Sequence, residues 1–127
     1  MTTRFDPTDG LVVVSARIWG PAGDTVLRLA LDTGATSTMV SPAALVMLGY
    51  DPASVVERAR MTTGSGVEYV PRMSIEGIEA LGVQRTGLVV TCHTLPPTAS
   101  VDGLLGLDYF RDCRLLIDFR AGEIILD

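Results

Sequence analysis

The chain carries Ala30-Leu31-Asp32-Thr33-Gly34-Ala35-Thr36-Ser37 at the end of an apolar segment typical of a β-strand. A carboxylate at the end of a buried strand is costly unless it is paired or hydrogen-bonded, and such groups persist mainly where they have a chemical task. Gly34, two residues after Asp32, lets the backbone turn tightly and approach another chain or a ligand closely. The segment therefore predicts a strand-end carboxylate in a tight loop and makes Asp32 the first catalytic candidate.

Length and composition predict one folded domain. The chain has 127 residues, of which 47% are hydrophobic, enough for a core of its own. We divide it into an N-terminal arm (1–10) and a domain (11–127). No apolar run is long enough to cross a bilayer, and the N-terminus lacks the pattern of a signal peptide. We therefore expect a cytoplasmic protein with no membrane partner.

Charges and metal-binding residue types exclude several classes of function. The net charge is −5, and all ten basic residues are arginines scattered along the chain, so we expect no nucleic-acid partner. Cys92 and Cys113 are predicted to be free thiols. The single histidine, His93, follows Cys92 directly, and neighbours on a strand point to opposite faces. We therefore expect no metal site, no Cys–His dyad and no cofactor, with His93 structural or exposed.

Turn signals divide most of the chain into short strands. Residues 11–31 predict a hairpin closed by the turn 20–24, and the C-terminal residues predict another around Arg120-Ala121-Gly122. Gly64-Ser65-Gly66 is the predicted tip of a third hairpin. Single strands are predicted at Ile78–Gln84 and Leu88–Cys92.

Two helices interrupt this pattern. Ser41 is a candidate N-cap, Pro42 suits the first helical position, and Gly49 suits the position after the end. A shorter helix is predicted over Leu104–Phe110. The fold class is therefore all-β: a small closed barrel or a sandwich of short strands with one or two short helices.

Three segments in a fixed order carry a family resemblance: Asp32-Thr33-Gly34-Ala35, the glycine-tipped hairpin Met61–Tyr69, and Leu104-Leu105-Gly106. In this order they resemble the retroviral-type (retropepsin-like) aspartic proteases. They are most similar to the cellular branch, which includes bacterial single-domain aspartyl proteases and the protease domain of the DNA-damage-inducible ubiquitin-shuttle proteins. The resemblance spans about residues 10–127 and includes the tail Leu115–Leu126. It implies a closed acid-protease barrel with one active-site half per chain.

One position departs from the viral pattern. Retroviral enzymes usually have Arg after the apolar-apolar-Gly motif, whereas this chain has Leu107, followed by Asp108 as in the cellular branch. The departure leaves open how the short helix is anchored and how the dimer is supported.

The resemblance also implies roles for individual residues. Asp32 is the expected catalytic carboxylate, Thr33 locks two active-site loops together across a dimer axis, and Gly34 admits a water and the scissile peptide. Gly106 is expected to pack beneath this loop, and residues 62–67 to close over the substrate as a flap. The expected substrate-binding residues are Ala35, Thr63, Gly64, Ser65 and Gly66.

A second carboxylate is needed for this chemistry, and no other Asp in the chain is followed by Thr-Gly. A two-fold homodimer supplies one by placing Asp32 beside its own copy. The predicted function is an aspartic endopeptidase that hydrolyses peptide bonds in a peptide or protein substrate with a water activated by the Asp32 pair. The apolar C-terminal strand, Ile124–Leu126, is the candidate for pairing at the interface.

Two alternatives remain open. Asp32 could merely cap a turn, although that explains neither the hairpin nor the Leu-Leu-Gly segment. The chain could also be a catalytically inactive dimeric β module that binds peptides or partners, because a fold does not fix a function.

Overall fold

The computed structural model describes the backbone of residues 1–127 and every side chain except that of Thr63. One α-helix, α1, spans Pro42–Met47, and short 3-10 turns span Pro52–Ser54, Pro97–Ala99 and Leu107–Phe110. No helix in the described residues is long and apolar enough to cross a membrane. The strands are β1 Thr2–Arg4, β2 Val13–Gly20, β3 Gly23–Leu31, β4 Met39–Val40, β5 Arg58–Thr63, β6 Gly66–Ser74, β7 Gly77–Ala80, β8 Val83–Thr86, β9 Val89–Cys92, β10 Gly103–Leu105, β11 Leu115–Asp118 and β12 Glu123–Leu126.

The larger sheet positions the loop that begins at Asp32. Its strand order is β5-β6-β9-β4-β10-β3-β2-β7-β8, and β3 lies between β2, which is antiparallel to it, and β10, which is parallel. In the β3–β10 register, Leu31 faces Leu105, so both strands end at the same level. The residues that follow them, Asp32 and Gly106, therefore lie beside each other.

The core forms on one face of this sheet. Alternation along β2 buries Val14, Ala16 and Ile18 and exposes the residues between them, as expected for a half-buried strand. Leu29 of β3 and Leu45 of α1 belong to the same apolar cluster. The all-β prediction is confirmed.

The predicted caps of α1 are confirmed. The Ser41 side chain accepts a hydrogen bond of 3.3 Å from the Ala44 amide, and Pro42 occupies the first turn. Gly49 follows the helix with φ +93°, a conformation that L side chains rarely adopt.

Two predictions of local structure are wrong. Ile78–Gln84 is not one strand, because Leu81 and Gly82 both have positive φ and form the turn between β7 and β8. Leu104–Phe110 is not one helix either. Its first residues belong to β10, which pairs with β3 and β4, and only Leu107–Phe110 forms a 3-10 turn.

The smaller sheet has the order β1-β12-β11. Its strand β1 comes from the expected N-terminal arm, and Phe5 after it is buried. Because β12 is paired on both edges within the chain, the expectation that it pairs across a subunit interface is wrong. The outer edges belong to β1 and β11.

Candidate active site

Asp32 is held at the end of β3 by backbone and side-chain hydrogen bonds. Its amide donates to the Leu105 carbonyl at 3.0 Å, which ties it to β10. Its carboxylate oxygen Oδ1 accepts a hydrogen bond of 2.9 Å from the Gly34 amide, and its carbonyl accepts one from Ala35. Asp32 therefore does cap a turn, but this uses only Oδ1. Oδ2 accepts no hydrogen bond from the described residues, and the side chain is half-buried.

Gly106 packs directly beneath the loop that follows Asp32. A Cβ atom on Gly106 would lie 2.7 Å from the Ser37 carbonyl carbon and 2.9 Å from the Ala35 oxygen, both backbone atoms. The next residue, Leu107, donates its amide to the Ala35 carbonyl at 2.8 Å. Only glycine fits at this close approach of the two backbone segments, and its role in supporting an active site stays a prediction.

Thr38 and Asp108 join the far end of the loop to the 3-10 turn. The Asp108 carboxylate accepts hydrogen bonds from the Thr38 hydroxyl at 2.7 Å and from the Thr38 amide at 2.9 and 3.0 Å. The Thr38 hydroxyl in turn accepts one from the Gly106 amide at 3.1 Å. Thr38 is fully buried, and every buried polar side-chain atom in the described residues has a partner. This network fixes the loop relative to β10.

Tyr109 anchors the same turn from below. The single proton of its hydroxyl is shared between the Ala80 and Val83 carbonyls, and its oxygen accepts a hydrogen bond of 2.9 Å from the Ala80 amide. Burial raises the pKa of this phenol to about 12, so it stays protonated at ordinary pH.

A cleft of about 560 Å³ lies between the Asp32 loop and the β5–β6 hairpin. Gly34, Ala35 and Asp108 line one wall, and residues 59–62 of β5 line the other. The remaining lining residues are Thr36, Ser37, Met39, Arg72 and Thr91. Asp32 is not itself among the lining residues, and it adjoins the cleft through Gly34, whose amide binds its carboxylate.

The predicted substrate-binding residues are only partly brought together. Ala35 lines the cleft, whereas Gly64 and Gly66 lie exposed at the hairpin tip, outside its lining. Ser65 lines a neighbouring depression of about 550 Å³ that shares Met39 and Met61 with the cleft. The prediction for the Thr63 side chain lies outside the described residues.

Comparison with known proteins decides the family. Residues 14–109 match a family model described as Aspartyl protease. The chain belongs to the aspartyl protease family. The crystal structure of a retropepsin-like aspartic protease from Rickettsia conorii has a similar fold, with a TM-score of 0.75 at 16% sequence identity. The similarity covers 99% of this chain and 88% of that one. No curated protein matches the sequence.

In this aspartyl protease two residues that hold the Asp32 loop, Thr38 and Asp108, were not among the predicted site residues. A signal for Asp108 was present, because it follows directly after the Leu-Leu-Gly-Leu segment that marked the family resemblance. Thr38 carried no such signal. Its importance depends on contact with a residue 70 positions away, which no local pattern reveals.

In this aspartyl protease, the residue types that commonly bind metal ions are dispersed. Among the described residues, no group of three or more His, Cys, Asp or Glu side chains could hold a metal ion. Cys92 and Cys113 are free, and burial raises the pKa of the Cys92 thiol. His93 Nε2 lies 3.6 Å from Glu68 Oε2, which joins the hairpin to the segment after β9.

Proposed function

We propose that this aspartyl protease is a homodimeric endopeptidase that hydrolyses peptide bonds with a water activated by two Asp32 carboxylates, one from each protomer. The observation that carries the proposal is a half-site. Asp32 is held beside a cleft with one oxygen engaged by Gly34, while no second Asp-Thr-Gly exists in the chain. A single carboxylate cannot both accept a proton from water and donate one to the departing amide nitrogen.

The chemistry follows from the pairing of two like charges. Two carboxylates about 3 Å apart cannot both ionise, and they share one proton, the established pattern of aspartic proteases. The ionised Asp32 takes a proton from the attacking water, and the protonated copy hydrogen-bonds the scissile carbonyl. A proton then passes to the leaving nitrogen. The Gly34–Oδ1 hydrogen bond orients the carboxylate during these steps.

Two surfaces support the dimer. Thr33 is exposed next to Asp32, and its hydroxyl makes no hydrogen bond with the described residues, so it is available to a partner's loop. In the smaller sheet, β11 has an open edge, and Leu116 and Phe119 beside it are 51% and 64% exposed. An open edge with exposed apolar side chains is suited to pairing with another chain.

The β5–β6 hairpin is the proposed flap. It forms one wall of the cleft, and its tip, Gly64-Ser65-Gly66, is exposed. Closure of such a hairpin over a bound peptide would exclude water and orient the scissile bond.

Cleavage of a mixed peptide library, compared between wild type and Asp32→Asn at several protein concentrations, tests the proposal. Since Asn is nearly isosteric but cannot exchange a proton, we expect a folded dimer whose kcat/KM falls by about 10²–10⁴-fold or more. Wild-type activity per protomer should fall on dilution, because the site exists only in the dimer. Asp9→Asn is the control, since Asp9 is exposed and does not line the cleft.

Three outcomes would contradict the proposal. Full activity in Asp32→Asn would show that Asp32 is not the catalyst. Activity per protomer that stays constant down to concentrations where the protein sediments as a monomer would rule out the paired site. Peptide binding without cleavage, unaffected by Asp32→Asn, would instead establish the inactive binding module.

A further inference from the structure

The hairpin wall of the cleft carries positive charge. Arg60 and Arg72 both line it, although the chain as a whole has a net charge of −5. Arg72 is already paired, because its Nη1 lies 2.6 Å from Glu57 Oε1. Arg60 is exposed and makes no ion pair or side-chain hydrogen bond with any described residue. Arg60 is therefore the arginine without an ion pair among the residues that line the cleft.

The opposite wall does not neutralise this charge. Asp108 is the acidic residue among those that line the cleft, and both of its oxygens are occupied by Thr38. The other lining residues, apart from the two arginines, are uncharged. A ligand in the cleft therefore meets an arginine on β5 that pairs with no carboxylate of the described residues.

We propose that Arg60 binds an acidic side chain of the substrate, so that the enzyme prefers peptides with Asp or Glu close to the scissile bond. This inference rests on the proposed endopeptidase function and adds a substrate class to it. A guanidinium matches the two oxygens of a carboxylate and forms shorter, stronger hydrogen bonds with it than with a neutral group. Because Arg60 lines the same cleft as Gly34 and Ala35, the acidic residue would lie within a few positions of the bond that is cut.

Arg58 provides a matched control on the same strand. It lies two residues before Arg60, is also exposed, and lines a separate depression of about 440 Å³ that includes Tyr69 and Cys92. Arg58→Gln therefore removes the same charge from β5 without changing the cleft beside Asp32.

The experiment compares kcat/KM for peptides that carry Glu, Gln or Lys at each position flanking the wild-type cleavage site. We expect wild type and Arg58→Gln to prefer Glu over Gln at one position by about tenfold, the scale of a hydrogen bond to a charged group. Arg60→Gln should bring this ratio to about one, and Arg60→Glu should favour Lys. Salt should reduce the wild-type ratio. Thermal unfolding of each variant checks that it is folded.

A binding measurement separates failure of this inference from failure of the proposed function. Intact fluorescent peptides that carry Glu or Gln at the same flanking position are titrated into the Asp32→Asn variant. The titration is repeated with the double variant that carries both Asp32→Asn and Arg60→Gln. If wild type cuts nothing but Asp32→Asn prefers the Glu peptide through Arg60, the proposed function fails and the inference stands. Equal cleavage and equal binding of Glu and Gln peptides by proteins with Arg60 intact would overturn the inference. A preference that survives Arg60→Gln would overturn it as well.

Discussion

The carboxylate of Asp108 binds Thr38 through both its hydroxyl, at 2.7 Å, and its amide, at 2.9 and 3.0 Å. Leu107 stands where retroviral enzymes usually have Arg, and this contact anchors the turn in which Leu107 lies. Asp108, the residue after Leu107, anchors the 3-10 turn after β10 to the Asp32 loop. Since the Thr38 hydroxyl also accepts the Gly106 amide, one buried side chain joins the loop, the glycine and the turn.

Asp108→Asn should destabilise the protein and impair cleavage. The amide keeps one acceptor oxygen but loses the charge, and its NH2 group cannot accept a hydrogen bond from the Thr38 amide or hydroxyl. We expect a loss of about 1–3 kcal/mol in the free energy of unfolding, measured by urea denaturation, together with a lower kcat/KM. Asp112→Asn is the control, because Asp112 is exposed and has φ +62°, a conformation that Asn tolerates. Equal stability of the two variants would refute the anchoring role.

Thr38→Val should have an effect that is not additive with that of Asp108→Asn. Valine keeps the shape of threonine but removes the hydroxyl shared by Asp108 and the Gly106 amide. We expect a double-mutant cycle in the free energy of unfolding to give a coupling of about 0.5–3 kcal/mol, as found for contacting residues. A coupling near zero would mean that the two side chains stabilise the fold independently.

Gly106→Ala should strongly disrupt the site. Its Cβ would approach the Ser37 and Ala35 backbone within 2.7–2.9 Å, and backbone atoms can yield only by moving the Asp32 loop. We expect a cost of about 1–3 kcal/mol or more in stability and loss of cleavage. Gly10→Ala makes the same chemical change in the exposed segment before β2, where a Cβ meets nothing within 4 Å. Thermal unfolding and peptide cleavage should leave Gly10→Ala close to wild type, and similar losses in both variants would refute the packing argument.

Local patterns in the sequence predict the elements that depend on local interactions. Turn and cap residues near the ends of each element predict three hairpins and one helix. These are the hairpins β2–β3, β5–β6 and β11–β12 and the capped helix α1. Gly82 was a visible turn signal within Ile78–Gln84, but the positive φ of Leu81 is uncommon for a non-glycine residue. The segment was therefore predicted as one strand, where the chain forms two.

The remaining features could not be predicted from local patterns, because they depend on pairing between residues far apart in the sequence. The strand β10 forms by parallel pairing with β3, more than 70 residues earlier, and its Leu-Leu sequence gave no sign of that partner. The same holds for Thr38, whose partner Asp108 lies on the turn that follows β10. The position of Asp32, Gly34 and Gly106 was predictable through the family motifs, whereas the side chains that hold their loop were not.

Tyr109→Phe should destabilise the fold without changing the shape of the core. The hydroxyl lies at a buried site and is bonded to the amide and carbonyl of Ala80. Its removal takes one hydrogen-bond partner from these buried backbone groups, which costs about 1–3 kcal/mol. Tyr69→Phe is the control, because Tyr69 is exposed. Urea denaturation at neutral pH should show a loss for Tyr109→Phe alone, and equal stability of both variants would contradict the assigned hydrogen bonds.

Tyr109→Phe should also reduce the decrease in the free energy of unfolding at alkaline pH. Burial raises the pKa of Tyr109 to about 12, whereas tyrosine in an unfolded chain titrates near pH 10. Above pH 10 the unfolded state therefore loses this proton first, and the stability that Tyr109 contributes, fully present below pH 10, is lost as pH rises towards 12. The chain has no lysine, so few other groups titrate in this window, although burial also raises the pKa of Tyr50 and Cys92. Urea denaturation from about pH 9 to about pH 12 should show a shallower decline for Tyr109→Phe than for wild type or Tyr69→Phe. Parallel declines in all three proteins would show that the pKa of Tyr109 is not raised in the folded state.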